Sequence, residues 1–161
     1  VPRFRPGITA RREKLTMLLP HGATVLALDG GRMRLFRNRG QPTRIDLETL
    51  DAAELDNPRT HVLGARPPGR SFESGSPSRS AHETTDRHQQ REDRFCRGAL
   101  DTALAAVGDG GDLVLIAPPR VLGDLREHCR HHPAKVTMHE IGKDLTALTP
   151  PELGVWLRDH H

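Results

Sequence analysis

Seven arginines, Arg66, Arg70, Arg79, Arg87, Arg91, Arg94 and Arg97, crowd into one stretch of this chain. A guanidinium fork holds two phosphate oxygens at once, so this stretch carries the chemistry of a grip on a phosphodiester backbone. Arg87, Arg91 and Arg94 repeat at i, i+4 and i+7 and make one stripe if the segment is helical. Just before them, Gly69-Arg70-Ser71-Phe72-Glu73-Ser74-Gly75 offers backbone freedom, hydroxyl and amide donors, and an aromatic ring able to stack on a base. We expect Arg66, Arg70, Ser71, Phe72, Ser74, Arg79, Arg87, Arg91 and Arg94 to form a surface for RNA or another partner. The carboxylates Glu83, Asp86, Glu92 and Asp93 lie among them, and salt bridges within one helix are the competing use of the same charges.

Other chemistries find less support. Gly30-Gly31-Arg32 and Gly108-Asp109-Gly110-Gly111 are glycine turns, and neither matches a phosphate-binding loop. His82, Glu83, Asp86 and His88 form one cluster of metal-ligand types, and His128, Cys129, His131 and His132 form another. Neither has the paired half-sites of a zinc site, so no metal and no cofactor is expected. Serines 71, 74, 76, 78 and 80 with His82 or His88 would allow a serine/histidine hydrolase. No nucleophile elbow is present, and we expect no catalytic residue. Cys96 falls on an apolar helix face and reads as a small core residue.

Composition bounds these readings. The chain has 161 residues, of which 35% are hydrophobic, 28% charged and 3% aromatic. That size suits one domain. No apolar run is long enough to span a membrane and no classical leader opens the chain, so a cytoplasmic protein is expected. Two cysteines make no disulfide scaffold. The net charge is +3, yet residues 1–16 alone carry +4, which leaves the rest near neutrality at −1. Binding of nucleic acid therefore needs a local patch. The first sixteen residues show no helical or strand period, and Met17 opens a coherent pattern. We expect 1–16 to be a disordered or non-native extension and 17–161 a single domain. A basic arm for nucleic acid or membrane is the alternative use of 1–16.

The elements that must position the arginines follow from periodicity. Ala23–Asp29 is a buried strand, Asp29-Gly30-Gly31 a tight turn, and Arg32–Phe36 a half-exposed strand. After Gly40-Gln41-Pro42, Thr43–Leu50 alternates with Ile45 and Leu47 on one face. These three strands predict an antiparallel meander. Residues 57–80 contain 12 Pro, Gly and Ser in 24 positions and carry a net +3, the composition of a long flexible loop. Ser80 and Glu83 match a capping box for a long helix that ends near Gly108. Its front to Asp93 is polar and projects. Its rear buries Phe95, Ala99, Ala103 and Val107 on one face, joined by Cys96, Leu100 and Leu104. Asp112–Ala117 is a central strand covered on both faces. Arg120–Arg130 is a helix, Lys135–Ile141 a strand, and Pro150–Asp159 a helix with Leu153 and Trp156. The order predicts an α/β fold: a mixed sheet, first antiparallel and then built from βα units, with helices on its faces.

Several runs carry a family resemblance. They are Leu19-Pro20-His21-Gly22-Ala23-Thr24-Val25, Asp29-Gly30, Arg34-Leu35-Phe36-Arg37-Asn38, Asp56-Asn57-Pro58-Arg59, Gly69-Arg70-Ser71-Phe72 with Ser74-Gly75, and Glu92-Asp93-Arg94-Phe95. Further on come Leu115-Ile116-Ala117-Pro118-Pro119-Arg120, Leu122-Gly123-Asp124-Leu125-Arg126 and Lys143-Asp144-Leu145-Thr146. Over residues 17–160 the chain resembles the bacterial host attachment protein family. That family is similar to the middle domain of archaeal and eukaryotic peptide-chain release factors. The resemblance implies a ribonuclease-H-like mixed sheet and a setting on the ribosome, its ribosomal RNA or tRNA. It also implies a part in attachment to host cells, for which a protein-interaction or regulatory module is the alternative reading. Release factors carry Gly-Gly-Gln before a long helix. Here Gly69 is followed by Arg70 and Gly75 by Ser76, so loop and helix correspond while the hydrolytic glutamine is missing. The expectation is a non-catalytic binding protein that uses loop 57–80 and the helix behind it.

Overall fold

The computed structural model describes residues 9–11, 19–55 and 77–160. Among the described residues six strands form one sheet: β1 (Thr9–Arg11), β2 (Thr24–Leu28), β3 (Arg32–Asn38), β4 (Leu47–Glu54), β5 (Asp112–Ile116) and β6 (Thr137–Ile141). The described residues also form three helices, namely α1 (Pro77–Val107), α2 (Pro119–Arg130) and α3 (Pro150–Asp159). The strand order is β1-β6-β5-β2-β3-β4. β2, β3 and β4 pair antiparallel in sequence, whereas β5 lies parallel to β2 and β6 parallel to β5. The fold is therefore α/β with a mixed sheet.

Alternation within the central strands builds two cores. Leu26 and Leu28 of β2 and Leu113 and Leu115 of β5 face α1 and α2, where they meet Cys96, Leu100, Ala103, Leu104, Leu122 and Leu125. Val25, Ala27, Val114 and Ile116 face the other way, against Leu153 and Leu157 of α3 and Phe36 of β3. Because both faces are covered, β2 and β5 read as continuous apolar runs. Asn38 is fully buried at the end of β3. Its amide donates to the carbonyls of Leu19 and Pro20 and accepts from the N–H groups of Gly40 and Asp46, which ties three chain segments together.

Some boundaries differ from the expectation. The third strand starts at Leu47, not Thr43. Residues 41–44 instead close on themselves, with Gln41 and Arg44 exchanging two backbone hydrogen bonds of 3.0 Å. The strand then continues through Asp51–Glu54, whose polar sequence hides it. At a sheet edge the pairing is made by the main chain, and exposed charged residues are the usual cover. The pairing steps from Leu35↔Asp51 to Phe36↔Thr49, leaving Leu50 as a bulge. The long helix begins at Pro77, so residues 77–80 leave the expected loop and Ser80 lies inside the first turn, not at the cap. Proline is preset for a first helical position, which favours the earlier start. The segment 1–16 also carries a strand: Thr9–Arg11 pairs in parallel with Thr137–His139 of β6. Such pairing needs only main-chain groups and leaves no side-chain period to read.

The helix end, by contrast, falls where glycine marks it. α1 stops at Val107, and Gly108 follows with φ 71°. Arg37 of β3 donates to the carbonyl of Ala106 at 2.8 Å, which serves one of the open acceptors of that last turn. Leu100, fully buried in the middle of the α1 seam, is the sharpest probe of this packing. Leu100→Ala is expected to cost about 2–5 kcal/mol of unfolding free energy, read from urea midpoints. A cost within the scatter of surface substitutions would mean that the helix is not seated as described.

Candidate functional site

Helix α1 has 31 residues, so it runs about 46 Å. Its two halves behave differently. From Phe95 to Leu104 one face is sealed into the core. From Thr84 to Arg94 no side chain is buried, and only Gln89, Glu92 and Asp93 are half-buried. The stretch Thr84–Arg94 therefore holds its polar residues largely in solvent.

The charges on this half are sorted. Glu92 points back to the body, where its Oε2 receives Arg120 of α2 at 3.3 Å. The same oxygen rests against the β2–β3 turn, for a Cβ on Gly30 would come within 2.9 Å of it. Asp93 accepts from the side chain of Gln89 at 2.8 Å. Arg87, Arg91, Arg94 and Arg97 are all exposed, on the side away from Glu92 and Cys96. Among the described residues, Arg87, Arg94 and Arg97 have no ion-pair partner. Two of the four carboxylates that competed for the arginines are thus engaged elsewhere. Arg87, Arg94 and Arg97 keep their charges toward solvent.

Sequence spacing brings these arginines together because helical neighbours are local. Of the other expected site residues, Arg66, Arg70, Ser71, Phe72 and Ser74 lie outside the described residues. Arg79 is within the helical span, and its side chain lies outside the description. The residues described before that segment end at Leu55 beside the β2–β3 turn, where its N–H donates to the carbonyl of Gly31 at 2.7 Å. The description resumes at Pro77, the start of α1.

A second group of polar residues collects where the parallel strands end, which sequence reading did not find. Asp29, directly after β2, accepts from the N–H groups of Gly31 and Arg32 at 2.8 and 2.7 Å. Thr146 Oγ1 lies 3.0 Å from Asp29 Oδ2 and 2.7 Å from Asp144 Oδ1, so one hydroxyl proton serves two carboxylates. In sequence, Asp29 and Thr146 are 117 residues apart. No local pattern could have paired them. Ligands of open α/β sheets bind at this end of the strands, and here it borders the base of α1.

Among the described residues, no group of three His, Cys, Asp or Glu is arranged to hold an ion, and the side chains of His82 and Glu83 lie outside the description. His128 and His132 instead reach one carboxylate oxygen of Asp101, at 2.7 and 3.5 Å, and join α2 to α1. Among the described residues no helix is long and apolar enough to cross a membrane.

The two thiols are poor nucleophiles. Burial, then the charges of Asp93, Glu92 and Asp29, push Cys96 up to about 12 from 9.0. Burial, then Glu140 and Asp101, push Cys129 up to about 11. Both stay protonated in the fold well past the pH at which the unfolded chain ionises. Their contribution to stability is whole below 9.0 and is lost as pH rises through about 11 and about 12. The native chain at pH 8 is expected to resist iodoacetamide, with both cysteines labelled only after denaturation. Rapid labelling of either in the folded protein would show that its burial is wrong.

The family model for bacterial archaeo-eukaryotic release factor family 12 matches residues 22–155. No curated protein matches the chain.

Proposed function

The chain belongs to bacterial archaeo-eukaryotic release factor family 12, and from that premise we propose that it is a non-catalytic, translation-related protein that contacts ribosomal RNA or tRNA. Its contact surface is the front of α1 together with the segment ahead of it. One observation carries this reading: the front half of α1 presents Arg87, Arg91 and Arg94 to solvent while Glu92 and Asp93 are held by Arg120 and Gln89. A helical stretch with no fully buried side chain from Thr84 to Arg94 leaves its surface to a partner, and a guanidinium row meets phosphate best. Arg66, Arg70, Ser71, Phe72, Ser74 and Arg79 extend the same surface, with Phe72 stacking on a base.

The strand order supports the ribonuclease-H-like reading of the domain. The first described long strand, β2, sits between its antiparallel partner and the parallel pair that follows. Release-factor hydrolysis does not transfer with the fold, because the sequence before the helix lacks Gly-Gly-Gln. A protein acting through phosphate contacts on ribosomes would work inside the cell, and any effect on attachment to host cells would then be indirect.

The test is co-sedimentation with purified bacterial ribosomes across a salt series. The full chain is expected to pellet at low salt and to be released as salt rises. Replacing Arg87, Arg91 and Arg94 together by alanine removes three phosphate contacts. The slope of log affinity against log salt then falls by about 2. Absence of pelleting at any salt, or a slope unmoved by the triple variant, overturns the reading.

A further inference from the structure

We propose that Gly98 is the point at which an RNA strand crosses α1, with the arginine row leading its phosphates to a gap left by the missing side chain. This rests on the RNA-contact reading above and adds the place and manner of contact. Two independent observations support it. The first is position: Arg87, Arg91, Arg94 and Gly98 follow one another at four, three and four residues, so the glycine continues the exposed row without a break. The row and its end span about 16 Å of helix.

The second observation is that nothing among the described residues calls for glycine there. Gly98 is exposed, and a Cβ built on it meets no atom of the described residues within 4 Å. It lies in the interior of a long helix, where glycine is the least favourable residue after proline. A glycine that costs helix stability and relieves no internal contact is explained if another molecule's backbone approaches there. Gly123 in α2 is equally open. Its neighbours one turn away, Arg120, Arg126 and Glu127, are held in ion pairs with Glu92, Glu140 and Arg130, so the cations beside it are already engaged.

The surroundings set where the track ends. The carbonyl of Gly98 is occupied by the hydroxyl of Thr102 at 3.0 Å, so the open feature is the bare Cα surface. One turn further, Asp101 holds a carboxylate against His128. A phosphate strand that follows the arginines is repelled there and must leave the helix at the glycine. Such contacts grip the sugar-phosphate backbone and read no base edges, so the ligand class is an RNA strand irrespective of sequence.

The experiment compares the full chain with Gly98→Ala and Gly98→Leu in filter binding to intact ribosomes and to ribosomal RNA stripped of protein. Both variants are expected to fold, with thermal midpoints at or above that of the parent. Gly98→Leu is expected to bind both probes about tenfold more weakly, with Gly98→Ala in between. If the parent binds and Gly98→Leu binds as well as it does, the crossing point is refuted while the broader RNA-contact reading stands. If Gly98→Leu loses intact ribosomes but keeps stripped RNA, a protein surface meets Gly98 and the RNA assignment falls. If the parent binds neither probe, both the reading and this inference are overturned.

Discussion

Everything exposed on the long helix depends on how its other half is buried. Cys96, Ala99, Leu100, Ala103 and Leu104 present one face to Leu26, Leu28, Leu113 and Leu115 of the sheet. A polar helical stretch with no buried side chain is marginal alone, because helix formation needs a costly nucleus. Here the nucleus is supplied by the buried rear, and the front propagates from it. The direction of the front is thus fixed by packing one to two turns behind it. Glu92 adds a second point of support, seated on Gly30 and paired with Arg120 at the place where the helix leaves the body. Exposed ion pairs contribute little energy, so its part is orientation more than stability.

That arrangement joins helix and sheet topology. β2 and β5 are parallel neighbours, and the chain has travelled through β3, β4 and α1 before it returns to lie beside β2. The carboxyl ends of these two strands consequently face the base of α1, and the turn after β2 supplies both Asp29 and Gly30. Asp29 caps its own turn through the N–H groups of Gly31 and Arg32, while Gly30 leaves room for Glu92. A short Asp-Gly-Gly sequence therefore does two separate jobs, one for the turn and one for the helix.

Much of this was legible in the residues, for reasons that differ by element. β2, β5 and the rear of α1 have burial that varies with a fixed period, and such periods can be read. α3 carries Thr149 and Glu152 in a true capping box, with the Thr149 N–H donating to Glu152 at 2.8 Å, and this holds the Glu152 carboxyl below its usual range. Ser80 and Glu83 have the same spacing and do not begin their helix, because Pro77 already provides a start one turn earlier. A four-residue signature cannot decide between two competing starts. The start of β4 is not marked in the residues, because an edge strand is specified by main-chain pairing, here with β3. The arginine row was legible because helical neighbours are sequence neighbours. The Asp29–Thr146 contact joins the two ends of the domain, and only the folded chain brings them together.

Net charge understates what the molecule presents. Outside residues 1–16 the charges nearly cancel. Cancellation over a sequence says nothing about cancellation in space, where fields of exposed charges are screened within about 10 Å. Glu92 is drawn to the body by a cation from another helix, and Asp93 is taken by a neutral amide. The first arrangement leaves the opposite face of α1 more positive than its composition implies. The pairing of Glu92 with Arg120 takes that carboxylate away from the arginines of its own helix, and the open glycine in the same row costs the helix stability. Two departures from the most stable helix, on one face and in one row, are economically explained by a partner that meets that face.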